Sequence, residues 1–227
     1  MPAFDPDAVE VVTFDSYGTL VDTSASARAL DGVVDDPETV AREWRRKALF
    51  YSVVAEHVAQ YDTYYALHVA GLRDALAEVG VSLSDERLHE LTDVYHDLDP
   101  YADVREAFER LDEAGYRPSI LSNGNPEMLD SLVETVGIED SVHELVSADD
   151  VRMLKPEAAL YEHAAERLGV AVEGVAHVTA HWMDVLGAEH AGMQGVWLDR
   201  GGQWPSFDGD PSLAADSLAG FRTELGY

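Results

Sequence analysis

Polar side chains stand at four points where a short apolar run, predicted to form a buried strand, passes into a loop. Parallel strands bind ligands beyond their carboxyl ends, so side chains at those ends are expected to meet at one edge of a sheet. Two carboxylates, one ammonium group and several hydroxyl and amide groups would then converge. These side chains belong to Asp15, Ser122, Asn123, Lys155, Thr179, His181 and Asp184.

The converging carboxylates can act as a nucleophile and as a general base. Lys155 would offset the repulsion between Asp15 and Asp184 and favour the ionised form of Asp15. Cysteine is absent from the sequence, which excludes disulfides, thiol nucleophiles and thiolate metal sites. The strand ends also carry no metal-ligand cluster of the histidine and cysteine kind. Carboxylate chemistry is therefore the first expectation.

The order of the predicted elements explains why these residues should converge. A strand is predicted within residues 9–15, a helical region within 37–98, and alternating helices and strands after Pro100. Such alternation favours βαβ units and a parallel sheet. The sequence thus predicts a doubly wound α/β core with a Rossmann-like sheet over residues 1–22 and 101–227, and an all-helical insert over 23–100. The tail from Gly201 is predicted as a loop before a short final element.

The acidic composition limits the partners that the protein can have. Of the 227 residues, 44 are acidic and 15 basic, the formal net charge is −29, and 46 % are hydrophobic. Such a surface repels nucleic acid and anionic lipid. No apolar run approaches the roughly 20 residues of a membrane span, and the acidic start lacks the layout of a secretory signal. We expect a cytoplasmic protein that binds neither nucleic acid nor membrane.

The excess of acidic residues itself allows two interpretations. Acid-rich, lysine-poor chains resemble those of salt-loving archaea, in which strong screening makes the self-repulsion tolerable. A functional acidic face is the alternative, but the acidic residues are spread over the whole chain. Adaptation to high salt is the interpretation that the sequence favours.

The chain carries four motifs: the strand and loop Val12–Leu20, the step Ser122-Asn123-Gly124, the pair Lys155-Pro156, and Asp184. These motifs resemble those of the haloacid dehalogenase superfamily of hydrolases, and the helical insert lies where that superfamily carries its cap. The phosphatases of the superfamily have a second aspartate two residues after the nucleophile, where this chain has Tyr17. An aromatic residue at that position resembles the L-2-haloacid dehalogenase branch.

The resemblance implies hydrolytic dehalogenation of short L-2-haloalkanoic acids to 2-hydroxy acids, with inversion at C2. Asp15 would attack C2 and form an ester, and Asp184 would activate the water that hydrolyses it. Within the insert, the segment from Trp44 to Lys47 resembles the cap segment with the substrate arginine, which corresponds to Arg45. Arg45 and the Asn123 amide would face the halide.

The remaining roles implied by the resemblance concern the seating of the substrate. Ser122 and the backbone around Tyr17 and Gly18 would hold the substrate carboxylate, and Thr19 would steady the nucleophile. Three further positions would form an apolar pocket that excludes water from the halide. They are Leu49, Tyr61, and Trp182 or Met183.

The sequence departs from the branch pattern shortly before Asp184. Members of the branch tend to carry serine and asparagine where this chain has Thr179 and His181. His181 can seat the hydrolytic water through a ring nitrogen or pair with Asp184.

The resemblance implies a small-molecule substrate, no cofactor, no metal and a possible homodimer. A magnesium-dependent phosphatase acting on a small phosphoester is the alternative function, and a non-enzymatic binding protein is a third.

Overall fold

The computed structural model describes residues 3–207 and 210–226, so residues 208 and 209 of the predicted loop from Gly201 lie outside the described part. The strands of the described part form a sheet in the order β3-β2-β1-β4-β5-β6, and every neighbouring pair is parallel. The predicted doubly wound parallel sheet is confirmed. The strands are β1 Val11–Phe14, β2 Ser119–Ser122, β3 Leu145–Ser147, β4 Val175–Thr179, β5 Gln194–Leu198 and β6 Leu213–Ala215.

The sixth strand lies in the tail that the sequence predicts as a loop. β6 is three residues long, and two of them are alanine, which has a low preference for strands. It forms because Val196 to Leu198 of β5 offer a free edge, with which Leu213 to Ala215 pair in parallel register. A tertiary contact, rather than a local pattern, therefore produces this strand.

Helices connect the strands of the sheet, as the alternating pattern predicts. Three of them end at a glycine in the left-handed region, Gly137 with φ of 72°, Gly169 with φ of 70° and Gly192 with φ of 104°, a conformation that other residues rarely adopt. The chain leaves each helix abruptly there and returns to the sheet. The helices before the strands β2 to β5 are α4 Val104–Glu113, α5 Pro126–Val136, α6 Ala158–Leu168 and α7 Trp182–Ala191, and α8 Leu218–Glu224 follows β6.

The insert between β1 and α4 consists of helices. It contains α1 Pro37–His57, α2 Tyr64–Glu78 and α3 Asp85–Thr92, preceded by a 3-10 helix over Thr23–Leu30. Ser84 caps α3 by accepting a hydrogen bond from the backbone of Arg87. None of the described helices combines the length and apolar composition that a membrane span needs.

One continuous apolar core joins the insert to the sheet. Phe14 of β1 packs on Phe108 of α4, and the same cluster of buried side chains includes Trp44 of α1 and Leu72 of α2. α1 and α2 pack closely, since a methyl group added at Gly71 would lie 3.0 Å from the backbone nitrogen of Ala48. The division into a core and a separate cap domain stays a prediction.

Candidate active site

The loop after β1 places the first carboxylate at the edge of the sheet. The backbone nitrogen of Asp15 donates to Val178 O at 3.0 Å, which continues the pairing of β1 with β4. The chain then turns sharply through Gly18, whose φ is 85°. The turn brings the Thr19 hydroxyl back to Asp15 Oδ2 at 2.8 Å, and the same hydroxyl accepts from Ala180 N at 3.0 Å. The predicted nucleophile is therefore held by its own loop.

Lys155 joins the two carboxylates. Its Nζ lies 3.1 Å from Asp15 Oδ1 and 2.8 Å from Asp184 Oδ2, and all three side chains are almost fully buried. Burial by itself lowers the pKa of the Lys155 ammonium, but the charges of Asp15 and Asp184 outweigh burial and raise this pKa. Lys155 therefore stays charged between the two acids, as the sequence analysis expected.

The Asp184 carboxylate receives donors on both oxygens. Oδ1 accepts the Tyr161 hydroxyl at 2.7 Å, and Oδ2 lies 2.8 Å from Lys155 Nζ and 3.0 Å from His177 Nε2. Burial by itself raises the pKa of Asp184, but His177 and Lys155 outweigh burial and hold this pKa well below its usual range. Burial and the neighbouring carboxylate raise the pKa of Tyr161, so its phenol keeps the proton that it donates.

Sequence reasoning missed Tyr161 and His177. Tyr161 lies on α6, six positions after Lys155, and nothing in the sequence separates it from a core aromatic residue. His177 gave a detectable signal, because it is a polar residue in the middle of the apolar strand β4 that ends at the site. A buried histidine in such a strand requires a partner, and the partner is Asp184.

The end of β2 supplies a hydroxyl and an amide. Ser122 Oγ lies 2.5 Å from Ser16 Oγ and accepts from the backbone nitrogen of Gly124 at 2.9 Å. Asn123 Oδ1 accepts from the backbone nitrogen of Lys155 at 2.7 Å. This bond uses the oxygen of the amide, and within the described part of the chain its nitrogen makes no hydrogen bond, so the two N–H donors of Asn123 can face a ligand.

Helix α1 of the insert brings a second cation to the site. Nη1 of Arg45 donates to Ser26 Oγ at 2.7 Å and to Thr23 O at 3.1 Å, both of which are neutral acceptors. Within residues 3–207 and 210–226, no carboxylate lies within 4.0 Å of the Arg45 guanidinium. Its charge is therefore available to an anion in the site.

The space between the insert and the sheet edge is a cavity of about 390 Å³. Three residues predicted for the site, Gly18, Thr19 and Thr179, do not line the cavity. Thr19 contacts Asp15, while Gly18 and Thr179 lie against His181. The residues predicted for the site that do line the cavity are Asp15, Tyr17, Arg45, Leu49, Ser122, Asn123, Lys155, His181 and Asp184.

Two residues predicted for the apolar pocket lie elsewhere. The Tyr61 hydroxyl bonds to the Asp149 carboxylate, and the Arg152 guanidinium lies over its ring at 4.9 Å. Tyr61 belongs to the link between α1 and α2, whereas Tyr64, at the start of α2, lines the cavity. The tyrosine of the apolar pocket is therefore Tyr64 on α2, and not Tyr61.

Trp182 is the second of these residues. Its side chain is 37 % exposed, with its ring centroid 5.9 Å from that of Phe207. Met183 lines the cavity instead, which is the other of the two positions that the sequence analysis considered. Successive residues of a helix point about 100° apart, so only one of them faces the site at the start of α7.

His181 lies beside the nucleophile. Its Nε2 lies 2.7 Å from the backbone oxygen of Tyr17 and 3.8 Å from Asp15 Oδ2, and its backbone nitrogen donates to Thr179 Oγ1 at 3.1 Å. A carbonyl oxygen can only accept, so Nε2 carries a proton. Gly18 leaves room for this ring, because a Cβ there would lie 3.0 Å from His181 Nε2.

Comparison with known proteins finds haloacid dehalogenases that are similar to this chain over most of its length. A model of the haloacid dehalogenase-like hydrolase family matches residues 9–192. The (S)-2-haloacid dehalogenase 4A of Burkholderia cepacia is 33 % identical over 206 residues, which are 90 % of this chain and 89 % of that protein. The (S)-2-haloacid dehalogenase of Pseudomonas fluorescens is 30 % identical over 213 residues, 93 % of this chain and 94 % of that protein.

A solved structure resembles the whole arrangement. The L-2-haloacid dehalogenase of Xanthobacter autotrophicus, with chloropropionic acid covalently bound, has a TM-score of 0.90 and 26 % identity, covering 96 % of this chain and 99 % of that one. With the family match, the curated relatives and the fold in agreement, this chain belongs to the haloacid dehalogenase-like hydrolases.

Proposed function

We propose that this protein hydrolyses short L-2-haloalkanoic acids to 2-hydroxy acids through an ester on Asp15, with inversion at C2. One observation carries the proposal: a single ammonium group, that of Lys155, lies within hydrogen-bond distance of both Asp15 and Asp184 at the cavity. It holds a nucleophile and a base side by side. The activities named for the relatives in Burkholderia and Xanthobacter support the same reaction.

In the first step, an oxygen of the Asp15 carboxylate attacks C2 of the substrate from the side opposite the halogen. The new C–O bond forms as the carbon–halogen bond breaks, and the halide leaves with the bonding electrons. Lys155 and Thr19 hold the two carboxylate oxygens and so fix the direction of attack. Attack from the rear inverts C2, so an L-substrate gives a D-2-hydroxy acid.

The cavity offers separate places for the two anionic ends of this reaction. Arg45 of α1 has no carboxylate partner in the described part of the chain, and the amide nitrogen of Asn123 is unused, so both can donate to the departing halide. On the sheet side, the Ser122 hydroxyl and the backbone after Asp15 can hold the substrate carboxylate. Leu49 and Met183 line the cavity and limit the access of water to the halide.

In the second step, water attacks the carbonyl carbon of the Asp15 ester. Asp184 takes one proton from the water, the bond between the ester oxygen and the carbonyl carbon breaks, and Asp184 returns this proton to the alkoxide oxygen of the released 2-hydroxy acid. The second proton of the water leaves the Asp15 carboxyl group for the solvent. Asp15 regains a carboxylate that contains one oxygen from water.

The site gives less support to a magnesium-dependent phosphatase. The phosphatases of the superfamily use a second aspartate as acid and base and its backbone oxygen as a metal ligand, and Tyr17 lacks the carboxylate. The backbone oxygen of Tyr17 already accepts the Nε2 proton of His181 at 2.7 Å. A metal ion at this oxygen would have to displace that hydrogen bond.

A substrate panel tests the proposal. The protein is incubated with L-2-chloropropionate, D-2-chloropropionate and a set of small phosphoesters, each with magnesium and with a chelator. We expect chloride release from the L-isomer at equal rates in both conditions. Phosphate release that requires magnesium, without chloride release, would support the phosphatase. A cytoplasmic location, a homodimer and adaptation to salt stay predictions.

A further inference from the structure

His177 is a fully buried residue that neither the motifs nor the proposed reaction uses. It stands opposite Thr13 in the register of β1 and β4, and its Nδ1 lies 2.9 Å from Thr13 Oγ1. Its Nε2 lies 3.0 Å from Asp184 Oδ2 and 3.3 Å from Lys155 Nζ. A buried imidazole is destabilising unless its nitrogens are hydrogen-bonded, and both have partners here. The imidazole ring is thus held between Thr13 of β1 and Asp184, the proposed general base.

The protons of this cluster can be assigned from its contacts. Lys155 and His177 hold the pKa of Asp184 well below its usual range despite burial, so the carboxylate is ionised and cannot donate. The proton in the contact between His177 and Asp184 therefore lies on Nε2. Oδ2 accepts from Nε2 and from Lys155 Nζ, while the one donor to Oδ1 among the described residues is the Tyr161 hydroxyl.

A carboxylate oxygen offers about two lone pairs to donors. Lys155 and His177 occupy both lone pairs of Oδ2, whereas Tyr161 leaves one lone pair of Oδ1 open. Water can therefore deliver its proton only to Oδ1. Without His177, Oδ2 would keep Lys155 but lose its second donor, so Oδ2 would compete with Oδ1 for the proton of the water.

We propose that His177, anchored by Thr13, is a positioning residue that occupies Oδ2 of Asp184 and directs the hydrolytic water to Oδ1. The inference rests on the proposed function, because it concerns the hydrolysis of the Asp15 ester. His177 does not touch Asp15 in the described contacts, so it acts on the second step. In that step Asp15 is an ester without charge, and Lys155 and His177 alone hold the Asp184 carboxylate at Oδ2.

His177→Phe tests this role, because phenylalanine keeps an aromatic ring in the buried position and removes both nitrogens. Single turnovers with enzyme in excess over L-2-chloropropionate are quenched at intervals, and chloride, 2-hydroxypropionate and enzyme-bound ester are measured. We expect chloride release to change by less than about threefold and ester hydrolysis to slow by about 10- to 100-fold. The ester on Asp15 should accumulate.

The pH dependence of ester hydrolysis gives a readout that a purely structural role would not change. The titratable groups that face His177 are Lys155, Tyr161 and Asp184, from three different parts of the chain. Only Asp184 loses a hydrogen bond in His177→Phe, so its pKa should rise. The acid limb of the hydrolysis rate should then move to higher pH, whereas a structural defect would lower the rate at every pH alike.

Two further variants keep the test decisive. His177→Gln restores an N–H donor and should recover most of the hydrolysis rate. Thr13→Val keeps the shape of the side chain, removes the partner of Nδ1 and should slow the same step less strongly, so it carries the test if His177→Phe does not fold. Equal slowing of both steps, or an unchanged acid limb, would overturn the proposed role of His177 and leave the proposed function intact. Failure of the unaltered protein to release chloride would overturn the proposed function as well.

Discussion

Lys155 lies between Asp15 and Asp184, with Nζ 3.1 Å and 2.8 Å from their nearest oxygens. Burying one cation with two carboxylates is favourable only if further donors satisfy the remaining charge. Those donors are present, since Thr19 donates to Asp15, and Tyr161 donates to Asp184. The cluster is therefore a preorganised arrangement in which Asp15 and Asp184 share Lys155 and each has a further donor of its own.

Asp184→Asn should separate the two steps of the reaction. Asparagine cannot accept the proton of the attacking water, whereas Asp15 keeps Lys155 and Thr19 as donors. Rapid-quench measurements should show a burst of halide near one equivalent, followed by turnover slower by about 100-fold or more. Steady turnover at the rate of the unaltered protein would remove the assigned role of Asp184.

Motif residues could be predicted from the sequence because they are close in sequence to strand ends. Asp15, Lys155 and Asp184 follow recognisable apolar runs, and the structure brings them together. Tyr161 and Tyr61 could not be assigned, because an aromatic residue near a helix start looks the same in the sequence whether it faces the core, the surface or the site. Only the packing of the elements distinguishes these positions.

At the scale of elements, the site depends on how α1 and α2 pack over the sheet edge. α1 carries Arg45 and Leu49 to the cavity, and α2 lies close against it at Gly71. The helices of the insert were predictable from their periodicity and caps, whereas β6 was not, because its three residues form a strand only by pairing with β5. Local patterns thus predict the elements that are long or capped.

Gly71→Val should destabilise the protein through the contact between α1 and α2. A Cβ at this position would lie 3.0 Å from Ala48 N and 3.1 Å from Trp44 O, which are backbone atoms that cannot rotate away. Overpacking of this kind costs about 1–3 kcal/mol. Urea unfolding should show this loss, and Gly202→Val, in a loop position with open space, should not. Equal stability of the two variants would contradict the close packing.

His68 on α2 makes the stability of the protein sensitive to acid. Its ring is buried without a hydrogen-bond partner on either nitrogen, and burial, with a smaller contribution from Arg45, lowers its pKa to about 3. The ordinary histidine pKa in an unfolded chain is about 6.5. Between these values the unfolded state binds a proton that the folded state does not, so stability falls as the pH falls.

The variant His68→Leu should remove this dependence. At pH 5 the unaltered protein should have lost about 2 kcal/mol of its free energy of unfolding through His68, since each pH unit below 6.5 is worth about 1.4 kcal/mol. His68→Leu should therefore be stabilised relative to the unaltered protein, more at pH 5 than at pH 7. His57→Leu, at an exposed position, is the control. An identical acid slope in His68→Leu would contradict the buried neutral ring.

At the scale of the whole molecule, the positive charges of the site contrast with a formal net charge of −29. Arg42, Arg45 and Arg46 all line the cavity, and only Arg46 has an ion pair in the described part of the chain, with Glu43. An anionic substrate therefore meets a repulsive surface but an attractive site. Salt should weaken the long-range repulsion while leaving the short-range contacts in the cavity largely intact.

Ionic strength should also change stability through the same net charge. Lowering salt from about 1 M to about 0.01 M extends the Debye length from about 3 Å to about 30 Å, so the self-repulsion of the folded state grows. The melting temperature should fall by several degrees. Sucrose, which does not screen charge, should not replace the effect of salt at low ionic strength. A constant melting temperature would contradict adaptation to salt.

The fate of the water oxygen tests the central claim most directly. A single turnover is run in ¹⁸O-water with the enzyme in excess over L-2-chloropropionate, with a chelator present, and the peptides and the product are analysed by mass spectrometry. Because water attacks the carbonyl carbon of the ester, the account predicts ¹⁸O in the carboxylate of Asp15 and none in the new hydroxyl group of 2-hydroxypropionate. Label in that hydroxyl group, with an unlabelled Asp15, would mean that water attacks C2 directly and would contradict the ester on Asp15.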